Sequence, residues 1–324
     1  MFARFIVGTM CAATLLTAGT AVAEDSFPNH PVRLIVPQSA GSGGDVVARL
    51  ISEKMGAELG QTVVVENRPG ANGVIAASSV ANATPDGYTL MLAGVSQISF
   101  NPHLYSDLPY DAEKDFDYVA PVIDTPFILV ASKQSGITSM AQLIEKARAE
   151  PGTLTFASAG QGNSTHLSTE MVADAAGIKL LHVPFKGSGP ALSAVMGGQI
   201  DLMTSVLGSA LSQVQSGSVV PLAVLADQRF ADLPNVPTLK EVGLDAPSMP
   251  GWFAIVGPDG MDKAVVQRLN EATQAAVKDK DIDAKLKALY FVPFAGTDEE
   301  IRRRADEDSA FWGNFVRRLG LQAS

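Results

Sequence analysis

The chain has 324 residues, 46% of them apolar, and carries 24 Lys and Arg against 34 Asp and Glu, a formal net charge of −10. That balance argues against nucleic acid and anionic membrane as partners, and any bound anion has to be held by local features against the overall field. The single cysteine excludes an internal disulfide framework, and the length suits about two domains with ample core.

Arg4 is followed by an uncharged run from Phe5 to Ala23 that closes on Ala21-Val22-Ala23 before Glu24-Asp25. A basic start, an apolar stretch and a small-x-small exit are the parts of a cleavable secretory signal over residues 1–23. The competing reading is an uncleaved anchor, but the run is rich in Ala, Thr and Gly and barely reaches spanning length. Cleavage after Ala23 removes Cys11, so the mature chain is expected to use neither thiolate chemistry nor Cys-bound metal.

Beyond the signal, apolar β-type runs alternate with helical patterns. Val32 to Val36 reads as a strand, and Asp45 to Leu59 as a helix with Val46, Val47, Leu50, Ile51 and Met55 on one face and Gly60 as its stop. Thr62 to Val65 is the next strand. A turn at Pro69 to Gly73 leads into a small-residue helix, and Tyr88 to Ala93 is a third strand. After a polar stretch from Asn101 to Asp117 the pattern restarts. Strands are predicted at Phe127–Ala131, Leu154–Ala157, Leu180–Val183, Ile200–Met203 and Val219–Ala226. Helices are predicted at Met140–Ala149, Thr165–Ala176 and Pro190–Met196. The tail is mostly helical, at Lys263–Val277 and Asp298–Leu319. Such alternation predicts an α/β fold with largely parallel sheets and two lobes around a central cleft, where ligands commonly bind. The expected division is 24–124 plus 226–324 for lobe I and 125–225 for lobe II.

One internal echo carries the functional argument. The first strand ends in Ser39-Ala40-Gly41-Ser42-Gly43 before a helix, and a strand of the second lobe ends in Ser158-Ala159-Gly160-Gln161-Gly162 before another. Glycine lets the backbone turn sharply and approach a ligand, while a helix start presents unpaired N–H donors and partial positive charge. Hydroxyls at Ser39, Ser42, Ser164 and Thr165 add donors. Two such ends across a cleft would clamp one or two carboxylates. Either loop alone reads equally well as an ordinary strand-to-helix turn; the matched pair favours binding.

The order and spacing of several segments resemble the Bug-type solute receptors of tripartite tricarboxylate transporters. They include Pro31-Val32-Arg33-Leu34-Ile35-Val36-Pro37, Gly43-Gly44-Asp45-Val46-Val47-Ala48-Arg49, Glu66-Asn67-Arg68-Pro69-Gly70-Ala71 and Pro85-Asp86-Gly87-Tyr88-Thr89-Leu90. In the second half, His182-Val183-Pro184-Phe185-Lys186-Gly187, Gly198-Gln199-Ile200-Asp201 and Leu233-Pro234-Asn235-Val236-Pro237-Thr238 extend the likeness over nearly the whole mature chain. The resemblance implies a type II periplasmic binding protein fold that grips carboxylates through backbone donors and water. It also implies a monomer in the periplasm that hands its ligand to integral-membrane transporter subunits, with no catalysis and no cofactor. Carried over by position, the site would comprise Gln38, Ser39, Ala40, Gly41, Ser42, Gly43, Gly44 and Asp45 in one lobe, flanked by Ser96 and Gln97. The other lobe would offer Ser158, Ala159, Gly160, Gly162, Asn163, Ser164, Thr165 and His166, flanked by Phe185, Lys186 and Gly187. Gln38 stands where an apolar residue is commoner, and Phe185 where tyrosine is, which leaves the ligand open among dicarboxylates, tricarboxylates, acidic amino acids and aromatic acids.

Other readings are weighed against this one. Gly41-Ser42-Gly43-Gly44 with Glu66 superficially suits dinucleotide binding, but the third glycine of G-x-G-x-x-G is missing. There is no G-x-S-x-G elbow, no G-K-[ST] loop and no close ligand cluster among the histidines at 30, 103, 166 and 182. A sensor subunit with the same fold and an unrelated secreted hydrolase are the competing classes. Asp45 reads as an N-cap or as a partner for a ligand ammonium, and His166 as lining the cleft or merely packing. Asp201 reads as a structural acid, Trp252 as lobe packing, and Arg302-Arg303-Arg304 before Asp306, Glu307 and Asp308 as an exposed helix with paired charges.

Overall fold

The structure is a computed structural model that describes residues 27–322, so the expected signal at 1–23 lies outside the described residues. The first half runs β1 (Val32–Val36), α1 (Gly43–Leu59), β2 (Val63–Asn67), α2 (Val74–Ala81), β3 (Thr89–Gly94), α3 (Asn101–Leu104) and β4 (Phe116–Thr125). The chain then enters β5 (Phe127–Ser132), α4 (Met140–Ala149), β6 (Thr155–Ser158), α5 (Ser164–Ala176), β7 (Leu181–Pro184), α6 (Ser188–Met196), β8 (Leu202–Val206), α7 (Leu207–Gln215) and β9 (Val219–Leu225). It finishes with β10 (Gly251–Pro258), α8 (Lys263–Val277), α9 (Lys280–Ala288), β11 (Val292–Pro293) and α10 (Asp298–Leu319).

These strands form two sheets, ordered β11-β4-β10-β3-β1-β2 and β7-β6-β8-β5-β9. Apart from the short β11, the orders are the same arrangement twice, with β6, β7, β8, β5 and β9 in the places of β1, β2, β3, β10 and β4. Each sheet is mixed: β10, with the short β11, runs against the other strands of the first, and β5 against those of the second. β10 and β5 are where the chain enters a sheet from the other one. The two S-A-G-x-G loops therefore follow equivalent strands, β1 and β6.

Alternation along β1 explains why it is central. Val32, Leu34 and Val36 face α1 and α8, packing with Val47, Ile51, Met55, Leu269 and Ala272, while Ile35 faces Ala76, Ala77 and Val80 of α2. A strand covered on both faces needs an almost wholly apolar sequence. Each such side chain contributes about 1.5–3 kcal/mol when fully buried. In the second sheet, Ile128 and Val130 pack on α6 and α7, and Phe127, Leu129 and Ala131 turn to the α4 and α5 side.

Six elements are not expected from the pattern: α3, β4, α7, β10, α9 and β11. β4 carries Pro121, which normally argues against a central strand; the register with β10 shifts between Phe253 and Ala254, and Pro121 sits at that irregularity. β10 is a run opening on Gly251 in which all but Phe253 are buried, and α7 and α9 are nine-residue helices without an apolar run long enough to stand out. The tail also departs from expectation in its arginines. Only Arg303 forms the exposed pair, with Glu307 at 3.3 Å. Arg302 lies over the Tyr118 ring, and Arg304 reaches inward to Asp124 at 2.5 Å and to the Pro250 carbonyl. Trp252 packs as expected, and its indole N–H donates to Asp308 Oδ2 at 2.6 Å.

Burial pushes Asp308 up to about 6, opposed by the Trp252 hydrogen bond and Arg304 and aided by Asp124 and Glu307. A carboxyl whose folded pKa is raised makes the unfolded state the more proton-poor one between its usual value of 3.8 and about 6. Its contribution to stability is therefore lost as pH rises through that window. Asp308→Asn, which can still accept from Trp252, should flatten this fall; urea midpoints of both proteins across the window check it. Parallel pH profiles would contradict it.

Candidate functional site

The first loop is organised by Asp45. Helix α1 begins at Gly43, so Ser42 is its N-cap, accepting from the Asp45 N–H at 3.3 Å, and Asp45 lies in the first turn rather than at the cap. The buried carboxylate of Asp45 accepts the Gly41 N–H at 2.8 Å and the Arg49 guanidinium at 3.0 Å. Burial raises its pKa, but hydrogen bonds from Arg49, Gly41 and Asn67 outweigh this and hold it below the usual value. Both oxygens are thus engaged within the loop, which favours the structural reading of Asp45 over the alternative of a partner for a ligand ammonium. Gly41 takes a left-handed backbone at φ +79, where a side chain would be strained, and its N–H serves the loop itself. The N–H groups of Ser39, Ala40, Gly43 and Gly44 have no hydrogen-bond partner among the described residues. Gln38 folds its amide oxygen over Gly44, close to the Ser42 hydroxyl at 3.4 Å.

The second loop is tied down more tightly. Asn163 caps α5 by accepting from Thr165 N–H at 2.9 Å, and the Thr165 hydroxyl accepts the Ala159 N–H at 2.9 Å. Gly160 N–H points to the buried Ser158 hydroxyl, and Gly162 N–H donates to His166 Nδ1 at 3.1 Å. His166 is buried and stacks on His182 at 3.8 Å, so it packs and restrains the loop. His182, whose Nε2 lies 2.6 Å from Ser158 Oγ, is driven down to about 3 by desolvation and by the neighbouring His166, and it stays neutral at ordinary pH. What remains without a partner among the described residues is the N–H of Gln161 and of Ser164, the first residue of α5. Gly41 and Gly160 thus spend their N–H groups inside their loops, and neighbouring residues hold the N–H groups that have no partner among the described residues.

A polar seam ties the second loop to the turn after β2, and its central residue escaped the sequence reading. Asn72, held at φ +51 in the turn after β2, donates from Nδ2 to the Gly162 carbonyl at 3.1 Å and to Asn101 Oδ1 at 2.9 Å. Its carbonyl accepts from Gln97 Nε2 at 2.9 Å and from Asn101. The Gln97 oxygen takes the Gly94 N–H at 2.9 Å, so this expected ligand residue is a brace between β3 and the turn. Gly73 lies so close to Gln97 and Pro37 that any side chain there would collide with both. The signal that marks Asn72 is Asn-Gly directly after Pro-Gly-Ala, since asparagine tolerates the left-handed region and carries an amide that can reach across.

Ser96 is buried and starts a π-helical turn at Ser96–Phe100; its hydroxyl has no partner among the described residues. Phe185 and Gly187 run beside the second loop, donating from N–H to the carbonyls of Ser158 and Ala159 at 3.0 Å each. Lys186 between them is exposed, without an ion pair among the described residues. Asp201 is structural, accepting twice from Thr155 at 2.8 Å. Further contacts cross between the sheets' surroundings. Arg318 of α10 grips Asp174 of α5 through both oxygens at 2.7 and 2.9 Å, Gln161 donates to the Gln322 carbonyl, and Tyr290 bonds Asp232. Among the described residues no group of three or more His, Cys, Asp or Glu is arranged to hold a metal, and no helix is long and apolar enough to cross a membrane.

A family model described as tripartite tricarboxylate transporter family receptor matches residues 47–321. The chain belongs to this receptor family. Its fold is shared with the periplasmic binding protein BugD, at 31% identity and a TM-score of 0.83 over 92% of this chain and 100% of that one. Rpa4515 of R. palustris, solved with adipate, is 31% identical with a TM-score of 0.85 over 91% and 99% of the two chains. MatC from Rhodopseudomonas palustris, solved with malate, is 30% identical with a TM-score of 0.83 over 90% and 100%. The Bug-type resemblance read from the sequence and the two-lobe type II binding fold are both borne out. The protein is a solute-binding receptor of this type, and the relatives it matches are solute-binding proteins rather than enzymes.

In this receptor the Asn72 bridge is testable alone. Asn72→Gly keeps the left-handed backbone and removes the amide. Losing a neutral hydrogen bond of about 0.5–1.5 kcal/mol should make the seam open roughly 2- to 12-fold more readily. Amide exchange should quicken over Gly160–His166 beyond any change in the α1 core; equal changes in both would contradict a specific bridge.

Proposed function

We propose that this receptor captures a small carboxylate-bearing molecule in the periplasm and delivers it to the integral-membrane subunits of a tripartite tricarboxylate-type transporter. The observation that carries the reading is the set of N–H groups at the starts of α1 and α5 that have no partner among the described residues, the second of these loops being tied to the first lobe by Asn72. Neither loop, 38–45 nor 158–166, contains Lys or Arg. An anion held there is held by backbone dipoles and hydroxyls. The adipate of Rpa4515 and the malate of MatC support a carboxylate as the ligand class. The donors we assign to the ligand are the N–H groups of Ser39, Ala40, Gly43 and Gly44 on one side and of Gln161 and Ser164 on the other, with the hydroxyl of Ser96. The glycines at 41, 160 and 162, together with Ser42, Asp45, Ser158, Ala159, Asn163, Thr165, His166 and Gln97, shape the loops that present them. Gln38, Phe185, Lys186 and Gly187 form the surround.

The lobes divide, in this proposal, at 125 and 225, where the chain crosses between sheets, with Leu233 and Val236 of the returning segment seated on the second lobe's core. The protein acts as a monomer, carries no cofactor and catalyses nothing. Residues 1–23 direct secretion and are removed after Ala23.

Ser164→Pro tests the backbone claim cleanly. Proline is welcome at the first position of a helix, and Asn163 at φ −74, ψ 160 already has the extended backbone that proline requires before it. The change deletes one N–H and little else. A hydrogen bond to a charged group contributes about 1.5–3 kcal/mol, so adipate or malate should bind roughly 10- to 150-fold more weakly to Ser164→Pro than to Ser164→Ala. Lys186→Ala should cost about 1 kcal/mol or less. Calorimetric titration reads all three. Normal binding by the proline variant with loss in Lys186→Ala would replace the clamp by a side-chain ion pair.

A further inference from the structure

Helix α9 ends in a turn that suits glycine and carries tyrosine instead. Its C-cap is Leu289, and the next two residues complete a Schellman turn. The Tyr290 N–H donates to the Lys287 carbonyl at 2.9 Å, and the Phe291 N–H to the Leu286 carbonyl at 3.0 Å. The residue after the cap then takes a left-handed backbone, where a side chain is strained and glycine is the usual occupant. Tyr290 sits there at φ +59; among the described residues only Ala71 and Asn72 also have a positive φ without being glycine. A bulky residue persists in that region only where its surroundings hold it, and such outliers cluster at working parts.

What holds Tyr290 lies in the other lobe. Its ring packs on the core that contains Leu207, Leu233 and Val236, and its hydroxyl donates to Asp232. The bond to Asp232, aided by burial and by the carboxylate's charge, pushes the phenol up to about 12, so it donates at any ordinary pH. The preceding carbonyl, that of Leu289, lies so close to Gly208 in the first turn of α7 that any side chain there would collide with it.

The following residue faces the first lobe. Phe291 is buried with Leu286 in the core around α1, and a side chain on Gly43 would meet its ring at 3.2 Å. Gly43 is the first residue of α1 and one of the donors assigned to the ligand. Three consecutive residues thus connect α7 and Asp232 of the second lobe to the start of α1 in the first. This connection is separate from the Asn72 bridge.

We infer that Tyr290 is a positioning residue of the ligand site: docked on the second lobe, it holds the α9–β11 turn, and with it the start of α1, at the spacing where the donors of α1 and α5 reach one ligand. It does not touch the ligand. Its docking favours the arrangement with the lobes together, and apparent affinity scales with the share of molecules in the binding-competent arrangement. Glycine would suit the end of α9 better but could not reach Asp232. The inference rests on the carboxylate reading for its ligand.

Three variants separate the contributions. Tyr290→Gly relaxes the backbone and removes the grip, Tyr290→Phe removes the hydroxyl alone, and Asp232→Ala removes its acceptor. In calorimetric titrations with adipate and malate, Tyr290→Phe should bind roughly 2- to 12-fold more weakly, the span of one hydrogen bond, and Tyr290→Gly more weakly still. Asp232→Ala should match Tyr290→Phe, and the double variant should lose no more than either. A residue that merely ends α9 would give the reverse order, with glycine as good as tyrosine or better. Small-angle scattering without ligand reads the grip independently, and Tyr290→Gly should show a larger radius of gyration than the wild-type protein. Equal or tighter binding by Tyr290→Gly, or additive losses in Tyr290→Phe/Asp232→Ala, would overturn the proposal. If neither acid binds the wild-type protein, it is the carboxylate reading that fails, and an unchanged radius of gyration in Tyr290→Gly would then overturn the role of Tyr290.

Discussion

The first N–H groups of a helix have no partner within it, and an acidic protein that must hold an anion without a cation has little else to offer. Here α1 and α5 each start directly after the central parallel strand of a sheet, so their open ends point out of the same edge of each lobe. Most other features of the site follow from this constraint. A loop rich in N–H groups is unstable unless some of them are satisfied internally. Asp45, Ser42, Asn163, Thr165 and His166 do that, leaving a defined remainder. The carboxylate of Asp45 is a fixed negative charge beside the place proposed for an anion, and Arg49 at 3.0 Å offsets it locally.

The two loops share a sequence echo but not a division of labour. The first leaves four N–H groups open and is anchored by a charged pair; the second leaves two and is anchored by Asn163, Thr165 and a stacked histidine pair, in which burial keeps His182 unprotonated. The loop with more internal hydrogen bonds is also the one that Asn72 touches. Binding energy in such a seam depends on how little has to be reorganised when the ligand arrives. The neutral network of Asn72, Gln97, Asn101 and Tyr110 holds the first lobe's side in place without adding a charge.

Much of this was legible in the sequence because hydrophobic period and glycine placement are local signals. β1, α1, β5 and α5 announce themselves by apolar alternation and by the Ser-Ala-Gly-x-Gly punctuation, and the loops they frame are where the candidate site lies. What the sequence did not disclose are matters of partnership. Nothing local says that Gly41 would spend its N–H on Asp45, or that Gln97 would face inward to Gly94 rather than outward, since both depend on contacts fixed by tertiary packing. β4 was hidden by Pro121, which a strand tolerates only at an irregularity that the partner β10 creates. Asn72 was hidden because a Pro-Gly-Ala-Asn-Gly turn reads as a connection, and its reach to Gly162 appears only when the two lobes are assembled.

The central claim, that open backbone donors rather than cations hold the anion, is tested most directly by following the amide resonances during a titration with adipate. The account predicts the largest proton shifts at Gly43, Gly44, Gln161 and Ser164, which gain a charged acceptor, and smaller ones at Gly41 and Gly160, whose acceptors are internal. Shifts concentrated around Lys186, with the amides of Gly43, Gly44, Gln161 and Ser164 unmoved, would contradict it.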